Sequence, residues 1–281
     1  IGCFIMGLLA NYHIILAPSM GLNAFFTYTV VLGMGYTWQF ALCAMFIEGL
    51  IFVLLTVTNV REKIIECMPD VLKHAITAGI GLFITFIGLV NAGIVQQGGA
   101  IISLGNIKSP VVLLAIIGLM IAATLLVKNV NGAFLISIII TSAIGMLFAI
   151  VPMPTGVIDV PPSIQPVFMK VFDVSRSQIF SLDMLVIVLT LLFVNMFDSI
   201  GFLLGIAQRA NLLDKNGNMP NVKKALLAES VSTTISSVLG TSTLATTVES
   251  GSGIAVGGRT GLTACITGIL FFISLFFAPL F

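Results

Sequence analysis

The segment GTSTLATTVESGSGIAVGG, residues 240–258, breaks the apolar pattern of the chain immediately before the apolar run 260–280. Its second half is rich in Gly and Ser, which suit a place where a backbone approaches a ligand closely. It also carries one ionisable residue, Glu249. We therefore predict a broken helix whose first N–H groups are free to bond, and we place Glu249, Ser250 and Gly251 in a substrate site. A carboxylate there would also interact favourably with the dipole of the half-helix.

A second break lies near the start of the chain, at residues 17–23 (APSMGLN), and a short apolar piece to about Leu32 follows it. Both breaks hold small residues and one strongly polar residue, which here is Asn23. Paired interrupted helices in corresponding places indicate the binding site of an inverted-repeat transporter. Because an Asn side chain both donates and accepts, we predict that Asn23 contacts a substrate edge; satisfaction of unwound backbone is the alternative.

Composition assigns the chain to membrane proteins. Of its 281 residues, 58% are hydrophobic and 8% are charged, whereas a soluble domain usually carries about a quarter charged residues. Apolar runs of about 20 residues, enough to cross a hydrocarbon core, recur along the chain. We predict a multi-pass protein of the cytoplasmic membrane, surrounded by the lipid bilayer.

The motifs of several other protein classes do not occur. The net charge is +1, and no basic cluster indicates a nucleic-acid partner. There is no Walker sequence, nucleophile elbow or metal-ligand spacing, and the four Cys residues are scattered. We therefore expect no enzyme, no catalytic residue, no metal site and no cofactor other than a proton as coupling ion. Both ends lie inside apolar runs, which is typical of a fragment cut at both ends.

Lys and Arg orient the predicted spans. The spans are placed at 1–16 (the end of one), 38–58, 74–95, 110–127, 131–151, 183–207 and 260–280, with a shorter Ser/Thr-rich helix at 225–239. The loops 59–73, 128–130 and 208–224 then share one side and hold eight Lys or Arg, including Arg61, against three on the other side. The positive-inside rule makes the first side cytoplasmic. We predict a cytoplasmic amphipathic connector at 59–73 and an extracytoplasmic linker at 152–182.

Four acidic residues lie in or beside the apolar segments: Glu48, Asp198, Glu229 and Glu249. An ionisable group at membrane depth costs about 2.5–3.5 kcal/mol on insertion scales, so it is kept for a partner or a task. Asn195 and Asp198 share one helix face, and aromatic residues surround them; we predict that they bind a flat heterocycle, with a polar clasp between helices as the alternative. Glu48 and Glu229 are assigned a structural role or a role in proton coupling. The two predicted substrate carboxylates, Glu249 and Asp198, are coupling candidates as well.

Four segments, in order and covering nearly the whole chain, resemble the AzgA-type hypoxanthine/guanine/adenine permeases, which are relatives of the nucleobase–cation symporter type 2 group. They are APSMGLNAFFTYTVVLGMGY (17–36), AGIGLFITFIGLVNAGIV (78–95), NMFDSIGFLLGIA (195–207) and GTSTLATTVESGSGIAVGGRTGLTACITG (240–268). The resemblance implies an all-α polytopic membrane fold of fourteen segments in two inverted seven-segment repeats. The third and tenth segments would be short half-helices preceded by extended strands, and this chain would cover about segments 2–11.

The resemblance also implies that a core domain moves against a gate domain. The core domain falls on 1–58, with a half-helix near 21–32, and on 183–281, with the strand and half-helix near 240–258; part of the gate domain falls on 74–151. The base would lie between the third, eighth and tenth segments, whose polar positions fall on Asn23, Asn195, Asp198 and Glu249. Some relatives carry Asp at the position of Asn195, so this chain has one acidic group fewer.

The resulting prediction is a secondary active transporter of purine nucleobases (hypoxanthine, guanine or adenine) that moves a proton with its substrate by alternating access. Burial disfavours the charged form of a carboxylate, so a site carboxylate can load a proton outside and release it inside. The alternative is an anion transporter of the same architecture, for sulfate or a carboxylate, although acidic residues would repel an anion. A channel or a structural membrane protein is a further alternative. The preferred purine, the proton stoichiometry and the formation of a homodimer stay open.

Overall fold

The beginning of the chain forms a short helix and an extended segment, rather than the helix end predicted at 1–16. The computed structural model describes residues 1–67, 69–96, 102–154, 156–209, 219–247, 249–255 and 257–280. Helix α1 (Gly2–Ile5) continues as a π-helical turn, Met6–Ala10, and ends where Asn11 adopts the left-handed conformation at φ 54°. Asn visits this conformation more readily than most residues. Strand β1 (Leu16–Pro18) then follows, so the helix prediction is wrong beyond Ala10.

The remaining secondary structure is mostly helical, as predicted. The helices are α2 (Met20–Ala24), which continues as a π-helix over Phe25–Gly33, α3 (Trp38–Val57), α4 (Val60–Cys67), α5 (Asp70–Asn91), α6 (Pro110–Val127), α7 (Ala133–Leu147), α8 (Arg176–Ile179), α9 (Leu182–Arg209), α10 (Val222–Val238), α11 (Ser250–Ala255) and α12 (Gly261–Ser274). Short 3₁₀-helical segments lie at Lys170–Phe172 and Leu275–Leu280. Strands β2 (Val95–Gln96) and β3 (Ser103–Leu104) pair with each other, and β4 (Leu244–Thr246) pairs with β1.

Four helices in the described part of the chain are long and apolar enough to cross a membrane. They are Trp38–Val57, Pro110–Val127, Leu182–Ala207 and Gly261–Leu280, the last of which includes the 3₁₀ segment after α12. Local sequence explains where two of them begin. Pro110 occupies the first turn of α6, where its missing N–H is not needed, and the Thr37 side chain caps α3 by accepting from the backbone N–H of Phe40.

The chain divides into two compact units. The first unit comprises Ile1–Gly81 and Val160–Leu275, and the second comprises Leu82–Asp159 and Phe276–Phe281. In the first unit α3 packs against α9 and α10, and side chains of α3 and α9 share one apolar core. In the second unit α6 packs against α7. The division into a core domain and a gate domain at the predicted boundaries stays a prediction.

Part of the segment predicted as an extracytoplasmic linker, 152–182, packs within the first unit. Val171 is fully buried, and the backbone N–H of Met169 donates to the carbonyl of Val238, at the end of α10, over 2.8 Å. Helix α8 begins with a capping box formed by Ser175 and Gln178. The segment is therefore held against α10 rather than exposed along its whole length. Of the polar loop predicted at 208–224, residues 210–218 lie outside the described residues.

Gly49 allows α3 and α10 to approach closely. A Cβ atom at Gly49 would lie 2.6 Å from the hydroxyl oxygen of Thr234 and 3.0 Å from its backbone nitrogen. Small residues at helix interfaces are common in membrane proteins, because close packing and hydrogen bonds hold the helices together there. The close contact of α3 with α10 lies next to a predicted site residue, because the residue before Gly49 on α3 is the buried Glu48.

Gly49→Ala is expected to destabilise the protein. The added methyl group has no room beside Thr234, and such overpacking lowers the free energy of unfolding by about 1–3 kcal/mol. Gly88→Ala is the matched control, since a Cβ at this helical glycine meets no atom of the described residues within 4 Å, and the better helix propensity of Ala adds up to about 1 kcal/mol. Unfolding of the purified protein in detergent measures both. Equal stability of the two variants would refute the close approach of α3 and α10.

Candidate functional site

The two broken segments meet as a small antiparallel sheet. In the register of β1 and β4, Leu16 pairs with Thr246, Ala17 with Ala245 and Pro18 with Leu244. Two backbone hydrogen bonds of 3.1 Å extend the ladder at its ends, from Ser19 to Thr243 and from Thr247 to Ile15. Because the strands are antiparallel, the unit β1–α2 and the unit β4–α11 run in opposite directions. Helices α2 and α11 both contact α9, so the three predicted substrate-binding segments lie together.

Helix α10 satisfies the outer edge of β4. In lipid, backbone polar groups must find partners within the protein, so an open sheet edge is not tolerated. Three side chains of α10 bond this edge: Thr233 donates to the carbonyl of Leu244 (3.0 Å), Ser236 donates to the carbonyl of Ser242 (3.0 Å), and Glu229 accepts from the backbone N–H of Thr246 (3.2 Å). These positions are four and three residues apart and therefore share one helix face. The Ser/Thr-rich composition of α10 is explained by this edge.

Glu48 connects α3 to α9 and to the residue before β4. It is 0% exposed. Its Oε1 accepts from the Nδ2 of Asn195 over 2.6 Å, and its Oε2 accepts from the hydroxyl of Thr243 over 3.1 Å. The Asn195 amide nitrogen, predicted to support substrate binding, is therefore directed at Glu48, and Asn195 is 1% exposed. Glu48 thus makes a polar contact between two helices, and its role in proton coupling stays a prediction.

Glu229 is the centre of a second group of polar contacts. Its Oε1 accepts from the hydroxyl of Ser199 over 2.8 Å as well as from the backbone of Thr246. Its Oε2 lies 3.1 Å from a guanidinium nitrogen of Arg61. The Ser199 hydroxyl is also within 2.7 Å of the backbone carbonyl of Asn195, so the Glu48 and Glu229 contacts form one polar network. This network consists of Glu48, Arg61, Asn195, Ser199, Glu229, Thr243 and Thr246.

Arg61 belongs to the predicted cytoplasmic amphipathic connector 59–73, yet its side chain is buried in the protein. Its side chain is 0% exposed and forms the ion pair with Glu229. It also donates to the hydroxyl of Ser230 over 3.3 Å and lies over the ring of Phe52 at 4.3 Å. The described part of the connector 59–73 contains α4 and the start of α5. The signal for this pair in the sequence was Glu229, an acidic residue in a predicted membrane helix that needs a polar or charged partner.

Asp198, Asn23 and Glu249 are not members of the polar network and are less buried than its members. Asp198 is half-buried on α9, within electrostatic range of Glu229. Asn23 is half-buried on α2, and Glu249 is exposed immediately before α11. Among the described residues, none of the three side chains has a recorded hydrogen bond or ion pair. They are therefore the predicted site residues whose polar atoms are available to a ligand.

Ser250 and Gly251 are buried at the start of α11. The hydroxyl of Ser250 accepts from the backbone N–H of Ile15 over 2.9 Å, which ties α11 to the residue before β1. The Ser250 side chain therefore holds the two breaks together.

Glu48→Ala is expected to destabilise the protein severely, whereas Glu48→Gln is expected to be tolerated. Alanine leaves the Asn195 amide and the Thr243 hydroxyl without their acceptor, and each such buried group costs about 1–3 kcal/mol. Glutamine keeps an oxygen for Asn195, and its amide can donate to the Thr243 hydroxyl. The melting temperature of the purified variants measures the difference. Equal melting temperatures would contradict the network, and unchanged proton coupling in Glu48→Gln would leave Glu48 with its structural role.

Known proteins place this arrangement in a family. A family model described as Permease family (Xan_ur_permease) matches residues 1–281. The chain is 49% identical to the guanine/hypoxanthine permease PbuG of Bacillus subtilis over 280 residues, which are 99% of this chain and 63% of PbuG. It is 42% identical to the adenine permease AdeP of Escherichia coli, covering 99% of this chain and 62% of AdeP. The chain thus spans less than two thirds of the length of these relatives.

A solved structure supports the fold. The transmembrane domain of the cyanobacterial bicarbonate transporter BicA superposes with a TM-score of 0.67 over 99% of this chain and 74% of that domain, at 16% identity. This similarity concerns the fold alone. The family match over residues 1–281 and the membrane-length helices agree with this fold. The chain belongs to the permease family and is a multi-pass membrane protein, not an enzyme.

Proposed function

We propose that the full-length protein is a secondary active transporter of purine nucleobases. The observation that carries this proposal is 49% identity, over 99% of the chain, to a protein named guanine/hypoxanthine permease. The 42% identity to a protein named adenine permease adds adenine to the candidate substrates. Hypoxanthine, guanine and adenine are therefore the substrates to test.

The unpartnered polar side chains support a purine as the ligand. A purine presents N–H donors beside ring-nitrogen or carbonyl acceptors. A carboxylate accepts hydrogen bonds, and an Asn amide donates and accepts at once. Glu249 accepts from a ring N–H or an exocyclic amine, Asp198 bonds the other edge, and Asn23 supports the base from α2. Asn195 supports the site indirectly: its hydrogen bond to Glu48 holds α9, the helix that carries Asp198, against α3.

We propose that transport follows alternating access in a fold of two inverted seven-segment repeats, of which this chain covers about segments 2–11. The antiparallel pairing of the unit β1–α2 with the unit β4–α11 supports the repeat, because elements related by an inverted repeat run in opposite directions. The assignment of a core domain that moves against a gate domain belongs to the same proposal.

Proton coupling is the last part of the proposal. Glu229 is paired with Arg61, and Glu48 is bonded by Asn195 and Thr243. Asp198 and Glu249 have no such partner among the described residues, so they are the acids most free to exchange a proton. One proton moving with the membrane potential supplies about 2.3 kcal/mol per 100 mV, which corresponds to about 50-fold accumulation of the base.

Uptake by the full-length protein tests the function. Labelled adenine, guanine, hypoxanthine and uracil are supplied to cells that lack their own purine permeases, with and without an uncoupler, and sulfate is added as a competitor. We expect saturable purine uptake that the uncoupler abolishes and that sulfate does not reduce. Uptake inhibited by sulfate would support the anion alternative, and uptake that never saturates would support a channel.

A further inference from the structure

Arg61 and Glu229 form an ion pair that the proposed binding of a purine does not use directly. The Arg61 side chain is 0% exposed and that of Glu229 is 2% exposed, with 3.1 Å between their charged atoms. Arg61 is fixed in addition by the hydroxyl of Ser230 and by the ring of Phe52. A buried ion pair is seldom more stabilising than apolar residues of the same volume. Stability alone therefore gives no reason for this pair.

The position of the Glu229 carboxylate gives a functional reason for the ion pair with Arg61. Its Oε1 bonds two groups that lie next to the proposed site residues. One is the hydroxyl of Ser199, the residue after Asp198 on α9. The other is the backbone N–H of Thr246 in β4, three residues before Glu249. One oxygen atom thus connects the helix that carries Asp198 with the strand that leads to Glu249.

We propose that Arg61 and Glu229 are a positioning pair for the purine site. Arg61 balances the charge of the Glu229 carboxylate through Oε2, and Oε1 holds Ser199 and Thr246 at a fixed spacing. The distance between Asp198 and Glu249, and so the fit of the base between them, depends on this contact. This inference rests on the proposed function and adds to it a pair that does not touch the substrate.

A positioning role and a purely structural role make different demands on residue 229. A structural pair needs only balanced charge, whereas a positioning pair also needs the acceptor oxygen. Two double variants separate these demands. Arg61→Met with Glu229→Gln removes both charges and keeps an acceptor oxygen, while Arg61→Met with Glu229→Leu removes both charges and the acceptor.

Purine uptake is measured for both double variants, with the amount of protein in the membrane quantified. The glutamine variant is expected to keep its KM within about threefold of the original. The leucine variant is expected to show a KM raised about tenfold, because the Thr246 N–H loses its acceptor and the Ser199 hydroxyl keeps only the carbonyl of its own helix. Lys170→Met is the matched control, since it breaks an exposed ion pair with Asp173, which contributes little. Equal KM values for the two double variants would overturn the proposal.

A pair of serine variants decides the matter if the leucine variant does not reach the membrane. Ser199→Ala removes one donor to Glu229, and we expect its KM to rise about threefold to tenfold. Ser232→Ala is the control, because among the described residues this buried hydroxyl bonds only the carbonyl of Ala228 in its own helix. An unchanged KM for Ser199→Ala would overturn the proposal.

Hydrogen exchange at the Thr246 amide measures the same contact without any substrate. We expect exchange about tenfold faster in the variant that lacks Glu229 Oε1 than in the glutamine variant, because a hydrogen-bonded amide exchanges only when it opens. A failure of the positioning pair therefore appears here even if the protein carries no purine. Absence of saturable purine uptake by the unchanged protein would, in contrast, refute the proposed function alone.

Discussion

Replacing Glu249 with Gln is expected to reduce sharply the uptake of labelled hypoxanthine at low substrate concentration. Glutamine keeps the shape of the side chain but replaces a charged acceptor with a neutral one. Hydrogen bonds to charged groups contribute about 1.5–3 kcal/mol, so the KM for hypoxanthine should rise roughly 10- to 150-fold. Uptake by cells that express equal amounts of each protein measures this effect.

Asp173→Asn is the matched control for Glu249→Gln. Asp173 is an acid of the same chain whose contact is an exposed ion pair with Lys170 at 3.2 Å, and the loss of such a pair has little effect. Its uptake should equal that of the unchanged protein. A Glu249→Gln variant whose KM for hypoxanthine equals that of the unchanged protein would remove Glu249 from the substrate site.

Replacing Asp198 with Asn is expected to uncouple purine movement from the proton. Asparagine keeps hydrogen-bonding atoms beside the base but cannot take up and release a proton. Proteoliposomes with a potential of 100 mV and equal pH on both sides should accumulate the base about 50-fold with the unchanged protein, and about onefold with the variant, which is no accumulation at all. Exchange of labelled for unlabelled base, which needs no net proton movement, should persist.

Thr190→Val is the control on the same helix. Thr190 is on α9, and its hydroxyl bonds the carbonyl of Val186 in its own helix, so its loss should leave coupling unchanged. If the Asp198→Asn variant accumulates purine as the unchanged protein does, another acid carries the proton. Loss of both accumulation and exchange would show that Asp198 binds the base rather than the proton.

The membrane-length helices could be predicted because each is determined by a continuous run of apolar residues. An apolar run bounded by Ser109 and Pro110 on one side and by Lys128 on the other is sufficient to define α6, and the predicted bounds 110–127 are the observed ones. The same holds within one residue for α3, predicted at 38–58 and observed at Trp38–Val57. In such segments local composition and length determine the structure.

The extended segment before β1 could not be recognised from its composition. Residues 12–16 are apolar or aromatic apart from His13, and a short apolar run does not distinguish a strand from the end of a helix. The difference arises from a distant partner, since β1 exists by pairing with β4. No local pattern encodes that pairing.

Three members of the polar network were predictable, but its connections were not. Membrane depth singled out Glu48, Glu229 and Asn195, because polar groups in apolar helices need a partner or a task. Their partners lie far away in sequence: Glu48 and Asn195 are 147 residues apart, and Arg61 and Glu229 are 168 residues apart. Arg61 was missed because a cation just after a helix end usually lies in the interface.

The structure of the full-length protein with bound hypoxanthine tests most directly where the base is held. We predict that the ring lies against α9, with Asp198 and Glu249 each within hydrogen-bonding distance of a different edge and with Asn23 beside it. A base bound elsewhere, with these three side chains directed away from it, would contradict the proposed site.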